Sequence, residues 1–180
     1  MTQQEFLISM RAAAKSANHA FPEYAACEVA SDSNWDEKGL IAAANNIFST
    51  RAPAKLGANM QTVWVASKQN VNGKMVDRLS TYMKYDSAAE AFAVRMKSLK
   101  QYRAIYRECL LADTGEEFVM QVSARWREMT TITSSIVNGT QMVYEFMGKY
   151  YRFDGGRWAV DPQRATKVLA LYEANKAAFV

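Results

Sequence analysis

Residues 22–51 read PEYAACEVASDSNWDEKGLIAAANNIFSTR, and small apolar side chains recur through them at helical spacing. Pro22 suits the first turn of a helix, and alanines at 25, 26 and 30 allow a neighbouring helix to approach closely, so a helix is predicted over 23–33. A short helix over 37–46 follows, and the Asn45-Asn46 pair turns the chain out of it through local side-chain to backbone bonds. Glu28 precedes Asp32 by four residues, which puts both carboxylates on one helical face. Two readings of that pair stay open. Glu28 either pairs with a Lys or Arg at the surface, or joins Asp32 in a site where repulsion and desolvation raise one of the two pKa values.

Outward from this stretch the pattern stays mostly helical. A helix is predicted over 4–20, carrying Phe6, Leu7 and Met10 and ending near Phe21-Pro22. Extended segments over 61–66 and 74–83, joined through Val71-Asn72-Gly73-Lys74, predict a β-hairpin, since Asn-Gly is a strong hairpin turn. Trp64 and Tyr82 are expected to anchor it against helices or a ligand groove, and residues 67–75 to form a mobile lid. Helices are then predicted over 88–98, 102–111, 116–129 (capped by Thr114), 139–151 and 162–177. Asp161-Pro162 starts the last of these. The predicted fold is α+β and predominantly helical, a single domain over 1–180 with a β-lobe insertion at about 58–84.

Composition sets the outer limits. The 180 residues are 49% hydrophobic and 22% charged, with 8 glycines and 3 prolines, which is a globular composition. No membrane span is expected, because no apolar run approaches the roughly 18 residues needed. The opening MTQQEFLISMRAAAKSANHAF lacks the marks of a secretory leader, so synthesis in the cytoplasm is expected. His19 is the sole histidine and no CxxC is present, which argues against a zinc site or a His-dependent triad. Cys27 and Cys109 read as buried free thiols. The net charge of +4 is spread along the chain without a phosphate loop or zinc finger, so no nucleic-acid partner is predicted. No cofactor is implied.

The order of several fragments resembles the glucosaminidase domains of bacterial and phage peptidoglycan hydrolases, including flagellar muramidase-like domains. Those domains open with A-x-x-x-LES-x-W-G, then NLFG and a basic residue. Here Ala26-Cys27-Glu28-Val29-Ala30-Ser31-Asp32-Ser33-Asn34-Trp35-Asp36 is followed by Asn46-Ile47-Phe48-Ser49-Thr50-Arg51. The family's T-x-E-x-x-x-G-K resembles Ser67-Lys68-Gln69-Asn70-Val71-Asn72-Gly73-Lys74, and its F-R-x-Y-x-S resembles Tyr82-Met83-Lys84-Tyr85-Asp86-Ser87. Its G-Y-A-T-D-P resembles Gly156-Arg157-Trp158-Ala159-Val160-Asp161-Pro162. The matches run over about residues 5–175.

The resemblance implies a lysozyme-like helical lobe and a small β-hairpin lobe flanking a glycan cleft. It places the family's catalytic glutamate at Asp32 and its candidate second acid at Gln69; Glu28, one turn before Asp32, is the candidate to assist on the second reading of that pair. Trp64 and Tyr85 are candidate cleft aromatics, Asn46 and Ser49 candidate substrate contacts, and Trp35, Phe48 and Trp158 mainly structural. Gln69 cannot serve as a base, Asp32 is one methylene shorter than glutamate, Ser49 and Asp36 stand where the family has glycine, and Met83 where it has arginine. Two functions follow. One is an endo-β-N-acetylglucosaminidase-like hydrolase of peptidoglycan, acting at the wall after lysis or from a phage particle or envelope assembly. The other is a catalytically degenerate wall-binding or particle structural protein, with phage or envelope assembly proteins as partners.

Overall fold

The computed structural model describes residues 1–180 except 37–38, 53–55, 72–73, 129, 137–139 and 155–160, and omits the side chains of 67–71, 74–75, 77–78, 130–144, 150 and 152–154. Helices α1 (Gln3–Ser16) and α2 (Pro22–Ser33) come first, then the short α3 (Leu40–Ala44). A hairpin of β1 (Gln61–Val71) and β2 (Lys74–Lys84) precedes α4 (Ala88–Gln101), α5 (Arg103–Leu110) and α6 (Gly115–Glu128). Strands β3 (Thr130–Ile136), β4 (Thr140–Phe146) and β5 (Lys149–Asp154) separate α6 from α7 (Arg164–Asn175) and a final 3-10 turn, Lys176–Phe179. The result is a predominantly helical α+β fold with a small hairpin lobe.

The helix starts follow local chemistry. Thr2 and Glu5 form a capping box at α1, and Ser87 caps α4. Thr114 Oγ1 accepts the Glu117 N–H at 3.1 Å, as its position before the Glu116-Glu117 pair predicts. Helix α7 starts two residues later than Pro162, after a turn in which Asp161 Oδ1 accepts the Gln163 N–H at 2.9 Å. One buried cluster joins Phe6, Leu7, Val29, Phe92, Leu99, Tyr106, Val119, Val122 and Val168, drawn from α1, α2, α4, α5, α6 and α7. Gly115 lies so close to α2 that a Cβ there would come within 2.1 Å of the Tyr24 ring. Cys27 and Cys109 are both buried and free, and burial lifts each thiol to about 12.

The hairpin is antiparallel, and Val71 faces Lys74 across it. The expected Asn72-Gly73 turn between them lies outside the described residues. One face of the hairpin, with Val63, Val65 and Tyr82, packs on Leu40 and Ala44 of α3. Trp64 and Leu79 stand on the other face, 64% and 63% exposed. Tyr82 therefore anchors the hairpin on α3 as expected, whereas Trp64 is turned to solvent on the opposite face.

The helix expected over 139–151 is absent. Instead β3, β4 and β5 form an antiparallel sheet in that order, with an irregularity between Thr131 and Thr133. Phe146 pairs with Lys149, and Met147 and Gly148 between them have φ of 49° and 73°. Two successive left-handed residues make the primed turn whose twist suits a tight hairpin.

Candidate functional site

Helix α2 places Glu28 facing the helical core and Asp32 one turn later, at the edge of the same face. Three other helices converge on this pair. Helix α4 brings Arg95, α6 brings Ser123 and Trp126, and α7 brings Arg164. Glu28 has no exposed surface; its Oε2 accepts from Arg95 Nη1 at 2.9 Å, and its Oε1 from Arg95 Nη2 at 3.0 Å and Arg164 Nη2 at 2.8 Å. Asp32 accepts from Arg164 through both oxygens, Oδ1 from Nε at 2.9 Å and Oδ2 from Nη2 at 2.6 Å. Arg164 Nη1 donates to Ser123 Oγ at 3.0 Å. The Trp126 ring lies 4.2 Å from the Arg164 guanidinium, and Phe48 lies 4.4 Å from that of Arg95.

Two guanidinium groups against two carboxylates make the cluster formally neutral, which is the condition for burying such charges at tolerable expense. The two acids nevertheless sit in unlike surroundings. Burial alone would raise Glu28, but Arg95 and Arg164 outweigh it and hold the carboxyl down at about 2. Burial pushes Asp32 above its ordinary value; Arg164 pulls against that rise and the Glu28 charge adds to it. Asp32 keeps 18% of its side chain exposed, whereas Glu28 and Arg164 are sealed.

These positions correct several expectations. Glu28 does pair with arginine, as one reading expected, but in the core and not at the surface, where its carboxylate anchors Arg95 and Arg164. Asn46 is 1% exposed, and its side chain is spent on backbone. Its Nδ2 donates to the carbonyls of Thr50 and Met83, both at 2.8 Å, and its Oδ1 accepts the Thr50 N–H at 2.8 Å. It therefore fastens residues 50–52 along β2. Tyr85, expected as a cleft aromatic, is 6% exposed and packs within the core cluster. Trp64 is open to solvent, but on the hairpin face turned away from α3. Ser49 is exposed, with a left-handed φ of 51°. The Gln69 side chain and Trp158 lie outside the described residues. Trp35 and Phe48 pack edge-on against Phe6 and Phe92, as structural aromatics should.

Past Asp32, three residues run left-handed in succession, Asn34, Trp35 and Asp36, at φ 48°, 58° and 65°. The Asp36 carboxylate then accepts the N–H groups of Ile41 and Ala42 at 2.8 and 3.0 Å, which ties this turn to the start of α3. Asp32 thus stands where the helical lobe hands the chain to the hairpin lobe. Among the described residues no cluster of His, Cys, Asp or Glu could hold a metal, and no helix is long and apolar enough to cross a membrane.

Arg95 and Arg164 were missed at the sequence level. Each left a legible signal, a lone arginine on an otherwise apolar helical stripe. Arg95 lies between Phe92 and Leu99, and Arg164 lies one turn before Val168.

No family profile and no curated protein matches the chain. Its fold is similar to that of a C-terminally truncated glycoside hydrolase domain of FlgJ from Salmonella typhimurium, at 16% identity over 98% of this chain and 99% of that one, with a TM-score of 0.63. It is similar to the catalytic domain of the autolysin Auto from Listeria monocytogenes, at 16% identity over 98% and 85% of the two chains, with a TM-score of 0.61. A peptidoglycan hydrolase mutant from Sphingomonas sp. A1 is similar at 16% identity over 98% and 97%, with a TM-score of 0.57. The chain therefore has the fold of peptidoglycan- and glycan-hydrolase domains.

Proposed function

We propose that this chain is a glycoside hydrolase of the peptidoglycan glycan strand, endo-β-N-acetylglucosaminidase-like, with Asp32 as its proton donor. The observation that carries this reading is the divergence of two carboxylates inside one ion cluster. Glu28 is held ionised and sealed, while Asp32 is pushed toward its protonated form and keeps an exposed edge. Environments that drive paired acids apart are how one site obtains both a fixed charge and a proton donor. Asp32 delivers its proton to the glycosidic oxygen as the bond breaks. With glutamine at 69, the sugar carbon is left to the substrate's acetamido group or a positioned water. The reading places the protein's work at the cell wall, reached after lysis or from a particle or envelope assembly.

The Arg164 fork on both oxygens of Asp32 favours a second reading, a domain that holds glycan strands without cutting them. A carboxylate so held is a poor proton donor. One experiment separates the two. Purified peptidoglycan is digested with the wild type and with Asp32→Asn, reducing ends are identified by mass spectrometry, and cosedimentation with walls is measured in parallel. The hydrolase reading expects sugar products from the wild type alone and wall binding by both. Wall binding without any product would replace it with the second reading, and absence of both would reject the two together.

A further inference from the structure

The buried cluster assigns a part to Arg164 as well. We propose that Arg164 is the positioning residue of this site, its fork fixing the orientation of Asp32 and governing when that carboxyl holds a proton. The proposal rests on the reading of Asp32 as proton donor. Arg164 has little freedom to move, because its donors are committed on three sides. Nη1 is bound to Ser123, Nη2 is shared by Glu28 and Asp32, Nε is bound to Asp32, and the guanidinium lies over the Trp126 ring at 4.2 Å. It is 2% exposed, whereas the Asp32 side chain keeps 18%. Of the two partners, Asp32 is the one able to leave.

The charges facing Asp32 are Glu28 on its own helix, Arg164 on α7 and, one step further, Arg95 on α4. With both acids ionised, the four side chains are neutral together. A proton on Asp32 leaves one net positive charge, shared by two guanidinium groups around Glu28. Arg164 therefore opposes protonation, while burial and Glu28 promote it, and the balance sets the pH range of the donor. Releasing Asp32 from the fork costs the Arg164 Nε–H its acceptor, while Glu28 and Ser123 still hold Nη2 and Nη1 in place.

The test follows the Asp32 carboxyl carbon by NMR through a pH titration of the full chain, assigned by its loss in Asp32→Asn. Replacing the cation in Arg164→Gln should move the Asp32 midpoint upward by about 1–3 pH units, the effect of removing an adjacent arginine. The pH above which glycan hydrolysis declines should move with it. An unchanged midpoint in the folded variant would overturn the proposal. Should Arg164→Gln not fold, the wild type still decides. Its Arg164 Nε–H resonance should shift in step with the Asp32 titration, and a flat resonance across that range would overturn the assignment equally. The carboxyl titration does not require turnover, so a shifted midpoint in a chain that releases no sugar supports the Arg164 assignment and counts against the hydrolase reading alone.

Discussion

At Asp32 the decisive quantity is reach. The resemblance places a glutamate here, and the extra methylene would carry a carboxyl outward, past the plane in which Arg164 now holds Asp32 at 2.6 and 2.9 Å. Misplacement by about 1 Å can reduce a rate roughly 10²-fold. Asp32→Glu is therefore expected to raise the initial rate on a defined glycan chain by about tenfold or more, with circular dichroism confirming the fold. A rate no higher than wild type would move the limiting defect elsewhere, to Gln69 or to the Arg164 clamp. The neighbouring substitutions teach a related lesson. Ser49 and Asp36 stand where the family pattern has glycine, and both adopt left-handed φ, 51° and 65°. The backbone shape persists although the letters that would signal it are gone, at a local cost of roughly 1–2 kcal/mol each. Asp36 offsets part of that cost through its two bonds to the start of α3. Asp32 and Glu28 were legible as a pair from their spacing of four. Their arginines showed only as lone charges on apolar helical stripes, and the partner each one reaches was not legible, because a contact between helices far apart in sequence leaves no local pattern.

Among the elements, the sheet of β3, β4 and β5 is where local sequence misled. Over 139–151 the apolar residues Met142, Val143, Tyr144, Phe146, Met147, Tyr150 and Tyr151 satisfy a helical period tolerably well. The competing signals were the alternation of Gln141, Val143 and Glu145 with Met142, Tyr144 and Phe146, and an enrichment in aromatic and β-branched residues. The turn concealed itself too. The primed hairpin at 147–148 wants Asn-Gly, and the chain supplies Met-Gly. By contrast Asn72-Gly73 announced the β1–β2 hairpin, and both of its strands formed. Met147 is 85% exposed with φ of 49°, so its side chain contributes little packing while bearing the left-handed penalty. Met147→Asn should therefore stabilise the protein, by about 0.5–1 kcal/mol, read as a higher urea midpoint with unchanged slope. A lower midpoint would mean that Met147 makes contacts its exposure hides, and that its φ is not the source of strain.

Across the whole molecule, the helical core encloses two titratable groups, His19 and Glu28, that ionise differently there from the way they do in water. His19 is 5% exposed, with the rings of Phe92 and Phe118 at 6.1 and 5.2 Å, and its Nδ1 accepts the Phe21 N–H at 3.1 Å. Burial lowers it to about 4; the Glu28 charge works against that fall and Arg95 works with it. Between about pH 6.5 and 4 the unfolded chain accepts a proton that the folded chain refuses, so stability falls with pH, by up to about 3 kcal/mol. Glu28 continues the trend, since its folded value of about 2 lies below the ordinary 4.5. Its contribution is complete above pH 4.5 and is lost as pH falls toward 2. Asp32, whose carboxyl burial raises, acts in the opposite sense: the folded form takes up its proton before the unfolded chain does, which offsets part of the loss. The urea midpoint at constant ionic strength should thus decline already between pH 6.5 and 5, before ordinary carboxylates titrate. His19 is the sole histidine, which makes it the one side chain in the sequence whose unperturbed titration falls there. A midpoint flat from pH 7 to 5 would show that His19 gains its proton in the folded core as readily as in water, and that the aromatic box around it is open.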